Sequence, residues 1–373
     1  MLLTLFLALA NNILCPLLLS TGSYTELNQT TNRMPLRPSE KLITSIVKEN
    51  GNSASTLPEP LPEQFIKINH LSAILRDMGF ELPFASTQSN DAFILTEVSR
   101  IIHELENSDI SAVVIKSIPA ISKPIGDVDI LVDDLEKAGE ILINNSYDVK
   151  GSYPNSHKLI GVSIIDGILV NIHLHGEIAW RRVIYLNSKD VLKSATERVF
   201  HELSFPVPSP EFEVLITAAH MLHERGNMRI SLHNVLELSA LFSSKNISIP
   251  LLFETASQNG WGKSLLLFLK SANAIHYQFF HENFSISEPD FFNSKITLPY
   301  NPLFFNWTFP IKTMALIRFR KLFHDFTSKD FSSTSNGLRA YPFDILKVIT
   351  ERYGVINTKR RLNKWKNTIR SII

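Results

Sequence analysis

The sequence is poor in the residues and motifs that would place it in several common classes of protein. Its 373 residues include a single cysteine, Cys15, which excludes an intramolecular disulfide framework and a thiol-based metal site. It contains neither an internal repeat nor a glycine-rich dinucleotide fingerprint. The apolar content of 44% is ordinary for a globular protein. These features favour an intracellular globular protein, and we expect it to be cytoplasmic.

The first 19 residues are apolar and uncharged, and the first lysine or arginine of the chain is Arg33. A secretory signal normally begins with a basic region, which is missing here. The apolar run is close in length to a membrane span, but Asn11, Asn12 and Pro16 interrupt it. Three interpretations stay open: a signal, a membrane anchor, or a start site placed too early. If residues 1–19 are an anchor, the basic residues that follow would keep the rest of the chain in the cytoplasm.

Three further segments follow from composition and periodicity. Residues 20–62 are polar and contain five prolines, which is typical of a linker. Residues 63–205 combine helical and strand patterns and form the predicted core. Residues 206–373 are mostly helical in pattern and open with Ser209-Pro210-Glu211, a strong helix start. Since the chain exceeds one average domain, we expect a core followed by a helical C-terminal domain.

The most informative segment, Gly126–Val132, places two aspartates at the beginning of a short apolar strand. Residues two apart on a strand point to the same face, so Asp127 and Asp129 can bind a common ion. Aspartate is unfavourable inside strands, which argues that the pair serves chemistry. Carboxylate oxygens suit Mg²⁺ that carries the phosphates of a nucleotide. For so short a motif, a turn aspartate with a helix cap is the structural alternative.

The neighbouring segments strengthen the metal-site interpretation. Residues 111–115 predict a buried strand, which is followed by Lys116-Ser117 and a proline-containing turn. After the aspartates, Asp133 and Glu136 have the spacing of a capping box, which predicts a helix with one apolar stripe. The predicted order is therefore strand, Lys-Ser turn, Asp-x-Asp strand and capped helix.

This order resembles the nucleotidyltransferase fold of the DNA polymerase beta superfamily, and most closely a family of uncharacterised bacterial and archaeal nucleotidyltransferases. The segments that carry the resemblance are Val114–Ser117, Lys123–Val132 and Val170–His173, within about residues 91–240. The resemblance implies an α/β (α+β) fold, with a small mixed-sheet nucleotidyltransferase core, flanking helices and a mostly helical C-terminal domain. It also implies two Mg²⁺ ions held by Asp127 and Asp129, and a nucleoside triphosphate (NTP) as substrate.

The resemblance also assigns nucleotide-binding roles. Ser117 and nearby backbone amides would hold the β- and γ-phosphates, and Lys116 or Lys123 would balance their charge. Gly126 occupies the glycine position before the aspartates, and His173 matches the family histidine, which would orient a phosphate or a metal ligand. Two positions depart from the family: Ser117 stands at a usual glycine, and Lys123 replaces an arginine. The lysine keeps the charge but loses the bidentate fork that suits phosphate.

A third departure concerns the catalytic residues. Asn171 stands where the family pattern has a third metal-binding carboxylate, and an amide oxygen can ligate a cation but adds no negative charge. Residues 171, 173, 175 and 177 would share one face of the strand that begins near Val170 if that strand stays extended as far as Glu177. Glu177 would supply the missing carboxylate if the end of the strand curls toward the two aspartates.

Two functions are consistent with this pattern. The first is an Mg²⁺-dependent nucleotidyltransferase that moves a nucleoside monophosphate from an NTP to a hydroxyl acceptor of unknown identity. The second is a catalytically weakened nucleotide- or RNA-binding pseudoenzyme that lacks the third carboxylate. A complete set of carboxylates in space would favour the enzyme, and a Glu177 that points away would favour the binding protein.

Histidines offer a less specific signal. His173 and His175 form a His-x-His pair that would suit zinc, but a single strand supplies too few ligands for it. His220 and His223 fall in a helix predicted from Pro210 to Glu224. Because no His-Glu-x-x-His pattern occurs there, one packed and one exposed histidine is the favoured interpretation.

The last 73 residues differ in charge from the rest of the chain. From Asn301 onward there are 14 Lys or Arg against 4 Asp or Glu, a net charge of +10, whereas the preceding 300 residues carry −9. Aromatic residues such as Phe319 and Phe323 lie between basic ones, and the segment Lys359–Arg370 contains no acid. Such a surface would attract RNA or an anionic membrane. The alternative is a solvated helical cap whose aromatic side chains belong to the core.

Overall fold

The computed structural model describes ten segments of the chain: residues 90–117, 125–152, 155–180, 183–224, 229–244, 247–280, 282–285, 300–301, 306–309 and 311–352. The apolar N-terminal segment and the predicted linker lie outside these segments. Lys123 and the tail from residue 353 also lie outside them. No helix within the ten segments is both long and apolar enough to cross a membrane.

The centre of the core is a five-stranded sheet. Its strands are β1 (Ala112–Ile115), β2 (Val128–Val132), β3 (Asp148–Ser152), β4 (Asn155–Ile165) and β5 (Ile168–His175). They are arranged in the order β1-β2-β5-β4-β3. β2 and β5 run parallel, and all the other neighbouring pairs are antiparallel. The sheet is therefore mixed, as predicted.

Two helices cover one face of this sheet. Helix α1 spans Asp91–Asn107, and α2 spans Leu135–Asn144 between β2 and β3. The cap of α2 corrects the predicted capping box, because the carboxylate of Asp134, not Asp133, accepts a hydrogen bond from the Lys137 amide at 3.0 Å. Asp133 instead accepts a hydrogen bond from the Ser111 amide, next to β1.

Alternation along the strands separates two hydrophobic clusters. Val128, Ile130 and Val132 of β2 join the cluster formed with α1 and α2. Leu131 points to the opposite face and belongs to the cluster that contains the C-terminal helices. Asp129 lies between Val128 and Ile130 in β2, so its side chain points to the opposite face of the sheet from theirs. This is the face that packs against the C-terminal helices.

Further short strands and helices follow the sheet. Two hairpins are formed by β6 (Ile178–Trp180) with β7 (Val183–Leu186), and by β8 (Thr196–Phe200) with β9 (Leu203–Val207). A three-stranded ribbon is formed by β10 (Arg229–Ile230), β11 (Tyr300–Asn301) and β12 (Asn306–Thr308). The helices are α3 (Ser188–Lys193), α4 (Pro210–Ala219), α5 (Leu232–Ser244), α6 (Ile249–Gln258), α7 (Gly262–Phe280), α8 (Ile311–Thr327) and α9 (Phe331–Arg352).

The C-terminal region is mostly helical, which confirms the predicted fold class. Helix α4 begins after Ser209 with a proline in its first turn, as the sequence predicts, and continues as a π-helical turn over His220–Glu224. His223 in this turn is fully buried and stacks on the ring of Tyr185 with 4.0 Å between ring centroids. His220 is half-buried, so the structure places one of the two histidines deep in the core.

Candidate functional site

The parallel pairing of β2 and β5 brings the predicted site residues together. The strand register places Asp129 beside His173, and Asp127 directly precedes β2. The Nδ1 atom of His173 is 3.2 Å from a carboxylate oxygen of Asp127 and 3.5 Å from one of Asp129. The strand that carries Asn171 and His173 therefore lies next to the Asp-x-Asp strand, as the resemblance implies.

Asp127, Asp129 and His173 fit a single divalent cation. Each offers one ligand atom, and these atoms all lie within 4.8 Å of one another. Two carboxylates and an imidazole form a mixed oxygen and nitrogen donor set, which suits Mn²⁺ or another transition metal as well as Mg²⁺. The Asp127 side chain is 53% exposed, whereas that of Asp129 is 12% exposed, so solvent reaches the group from the side of Asp127.

Asp129 lies among positively charged and hydrogen-bonding groups. Nε2 of His175 lies 2.6 Å from Oδ1 of Asp129, and Nζ of Lys158 is 3.7 Å from the same oxygen. Nζ of Lys116 is 3.6 Å from Oδ2. Burial acts to raise the pKa of Asp129, but Lys116, His173 and His175 together outweigh it and hold this pKa well below its usual range. Asp129 is therefore an ionised carboxylate at neutral pH.

His175 is the neutral partner in this arrangement. Its burial lowers the pKa to about 4, and Lys116 and Lys158 act in the same direction against the opposing effect of Asp129. A neutral imidazole that donates from Nε2 to the carboxylate fixes the rotamer of Asp129. We therefore assign His175 the task of positioning this carboxylate.

The Lys-Ser turn has a structural role in the sheet. The hydroxyl of Ser117 is buried, accepts a hydrogen bond from the Asp129 amide at 2.9 Å and lies 3.2 Å from the Ile115 carbonyl oxygen. This side chain is thus directed into the sheet rather than toward a phosphate. Lys116 has a φ of +61°, in the left-handed region that favours glycine, and this conformation accompanies the contact of its ammonium with Asp129.

Gly126 directly precedes Asp127, and Asn171 lies on β5 two residues before His173. Within the described segments, a Cβ atom added to Gly126 would meet no atom within 4 Å. The side-chain oxygen of Asn171 is buried and has no hydrogen-bond partner within the same segments. A bound ion or water is one explanation for a buried acceptor of this kind.

Glu177 does not belong to the Asp127–Asp129–His173 group within the described segments. The extended strand β5 ends at His175, and the amide of Gly176 donates to the carbonyl oxygen of His157. The condition for a shared face at residue 177 is therefore not met. Burial and the carboxylate of Asp330, between α8 and α9, raise the pKa of Glu177. Within its described segments, the structure therefore does not bring Glu177 together with the three candidate ligands.

A cleft opens next to the carboxylates, between the sheet and the C-terminal helices. It is small, with a volume of about 30 Å³, and it is open to solvent at its mouth. Sheet residues Ile115, Lys116 and His175 form one wall, and Ile216, Ala219 and His220 form another, with Ile178, Ala179, Trp180 and Tyr185 completing the lining. The walls are mostly apolar and aromatic, and the cleft has room for about one or two water molecules.

Sequence reasoning missed Lys158. Its ammonium lies 3.0 Å from Nδ1 of His173 and, as noted, near Asp129. The sequence does indicate this position through the two-residue hairpin turn Asp166-Gly167 between β4 and β5, where both residues have positive φ. Counting outward from this turn pairs Lys158 with His175, which the observed register confirms.

The fold and this group of residues define a nucleotidyltransferase-like α/β protein, and comparison with known proteins agrees. A family model described as "uncharacterised nucleotidyltransferase" matches residues 80–276, more than half of the chain. The chain belongs to this family of uncharacterised nucleotidyltransferases. The crystal structure of an antigenic nucleotidyltransferase-like protein from Paracoccidioides brasiliensis is similar at 14% sequence identity, with a TM-score of 0.33, over 50% of this chain and 87% of that one. A comparison with curated proteins gives no match.

Proposed function

We propose that the chain transfers a nucleoside monophosphate from an NTP to a hydroxyl group of an acceptor, with help from a divalent cation. The observation that carries this proposal is the group formed by Asp127, Asp129 and His173, whose ligand atoms lie within 4.8 Å of one another. The group is found in a chain that belongs to a nucleotidyltransferase family. Mg²⁺ is the expected ion, and the imidazole favours Mn²⁺ as an efficient substitute.

The residues of the site would divide the work as follows. Asp127 and Asp129 would hold the cation, which when bound would act as a Lewis acid and stabilise the negative charge that develops as pyrophosphate leaves. Lys116 would balance the charge of the triphosphate, and we keep the same expectation for Lys123. His175 would keep Asp129 in place, and backbone amides near Ser117 would contact the phosphates.

The experiment is incubation of the purified chain with each α-³²P-labelled NTP, Mg²⁺ or Mn²⁺, and a cell lysate as the source of acceptor. Label should appear on an acceptor with the wild-type chain and be lost with Asp129→Asn. Asp166→Asn is the matched control, because Asp166 is exposed in the β4–β5 turn and asparagine tolerates its positive φ. Equal labelling by the Asp129→Asn and Asp166→Asn proteins would contradict the proposal.

A nucleotide-binding protein without turnover is the second candidate function. The observation that favours it is Asn171, which supplies no charge at the position where the family pattern has a carboxylate. Binding of an NTP without release of pyrophosphate by the wild-type chain would support this candidate. Appearance of turnover in Asn171→Asp alone would show that the missing carboxylate limits the reaction.

A further inference from the structure

Lys158 occupies a position that a cation would be expected to take. It lies on β4 opposite His175, and its side chain is 14% exposed. Its ammonium is 3.0 Å from Nδ1 of His173 and 3.7 Å from Oδ1 of Asp129. The ammonium therefore contacts two of the three residues that form the candidate cation group, including the imidazole nitrogen that faces both aspartates.

The charges of the site already balance without any metal. Asp127 and Asp129 supply two negative charges, and Lys116 and Lys158 supply two positive ones within 4 Å of Asp129. One divalent cation would already use both carboxylates as ligands. A second divalent cation would need a further carboxylate, and Asn171 offers only a neutral oxygen.

We infer that the ammonium of Lys158 takes the place of one of the two cations expected at such a site, so that the chain binds a single divalent cation together with its nucleotide. This inference rests on the proposed function. A lysine ammonium is a compact charge with three donors, which matches a carboxylate, an imidazole and one oxygen of a bound phosphate. Because Nδ1 of His173 then accepts from Lys158, the single divalent cation would be held by Asp127 and Asp129. The inference revises the two Mg²⁺ ions implied by the family resemblance to one ion and one lysine.

The test is a count of Mn²⁺ ions bound per full-length chain in the presence of non-hydrolysable α,β-methylene analogues of the four NTPs. Free Mn²⁺ is measured by its electron paramagnetic resonance signal. The wild-type chain is expected to bind one ion, and so is Asn171→Asp, because Lys158 still fills the second position. Asn171→Asp combined with Lys158→Met is expected to bind two.

The matched control is Lys150→Met on β3. The ammonium of Lys150 pairs with the exposed carboxylate of Asp148, so this variant also loses a lysine but should still bind one ion. Two ions in the wild-type chain, or one in a double variant whose circular dichroism spectrum matches the wild type, would overturn the inference. The wild-type count decides the matter even if the double variant does not fold. Two ions would leave the proposed function standing, whereas absence of both Mn²⁺ and nucleotide binding would overturn the inference and the proposed function together.

Discussion

The backbone amide of Asp129 donates a hydrogen bond to the hydroxyl of Ser117, with 2.9 Å between nitrogen and oxygen. Both residues are buried, so this bond joins the turn after β1 to the strand that carries Asp129. The Lys-Ser turn thus sets the position of Asp129 in two ways, through the hydroxyl of one residue and the ammonium of the other.

Ser117→Ala should lower the free energy of unfolding by about 1–3 kcal/mol, because it leaves a buried amide without an acceptor. Urea denaturation followed by circular dichroism measures this change. Ser163→Ala is the control, since its exposed hydroxyl donates to the Ser146 carbonyl oxygen at 3.3 Å and its removal should cost less than about 0.5 kcal/mol. Similar losses in the two variants would argue against a special role for Ser117.

Lys116→Asn should destabilise the chain by about 1–3 kcal/mol at pH 7. Asparagine accepts the positive φ of this position, so the substitution removes the charge beside Asp129 while the backbone keeps its conformation. An unpaired buried charge typically costs about 3–5 kcal/mol. The loss in stability should be about half of this value, because Lys158 also contacts Asp129.

Lys329→Asn provides the control for this variant. Lys329 also has a positive φ, of 59°, but it is exposed on the turn between α8 and α9. Its replacement should change stability by less than about 0.5 kcal/mol. If chemical denaturation gave equal midpoints for the two variants, the ion pair of Lys116 with Asp129 would contribute nothing to folding.

Local patterns were enough to predict the parts of the fold that depend on neighbouring residues. The Asp-x-Asp strand, the helix that follows it and the helix that begins after Ser209 all follow from periodicity and capping, and the structure confirms them. The adjacent position of β5 follows from the family order of strands. The mixed sheet could therefore be predicted from the sequence and its family resemblance.

The remaining features depend on residues far apart in sequence. The direction of the Ser117 hydroxyl is fixed by the pairing of β1 with β2, and the contact of Lys158 with His173 by the pairing of β4 with β5. The choice of Asp134 as the cap of α2 depends on the interaction of Asp133 with Ser111. Glu177 was misplaced because β5 ends at His175, where the chain bends at Gly176.

We propose that the basic tail binds RNA. Two observations support this proposal. The sequence of Lys359–Arg370, which lies outside the described segments, is basic, and two phenylalanines of α8, Phe319 and Phe323, are exposed. Affinity should fall steeply with salt, by about 0.7–0.9 units of log–log slope for each neutralised phosphate. Truncation after Thr358 should abolish this slope in a fluorescence anisotropy titration with single-stranded RNA. If the truncated chain still bound RNA, the tail would not be the binding site. If the full chain bound anionic vesicles but not RNA, a membrane surface would be its partner instead.

The pH dependence of folding should report the buried His223. Burial, together with Arg318 and Lys321, holds the pKa of His223 well below its ordinary value of 6.5. Below pH 6.5 the unfolded chain therefore binds a proton at this residue that the folded chain does not, so stability is lost as pH falls. From pH 7 to pH 5 this single group should account for about 1–2 kcal/mol of lost unfolding free energy.

His223→Asn should therefore lose less stability than the wild-type chain between pH 7 and pH 5, although it is less stable at both values. Urea denaturation at the two pH values measures this difference, in which the overall cost of losing the stacked ring on Tyr185 cancels. His201→Asn is the matched control, because His201 is exposed and asparagine suits its positive φ of 48°.

A pH response of His223→Asn that equals that of the wild-type chain would mean that His223 is protonated to the same extent in the folded and unfolded states. The contacts of Arg318 with its carbonyl oxygen and Nδ1 atom argue against this, because a protonated imidazole would face the guanidinium at 3.2 Å.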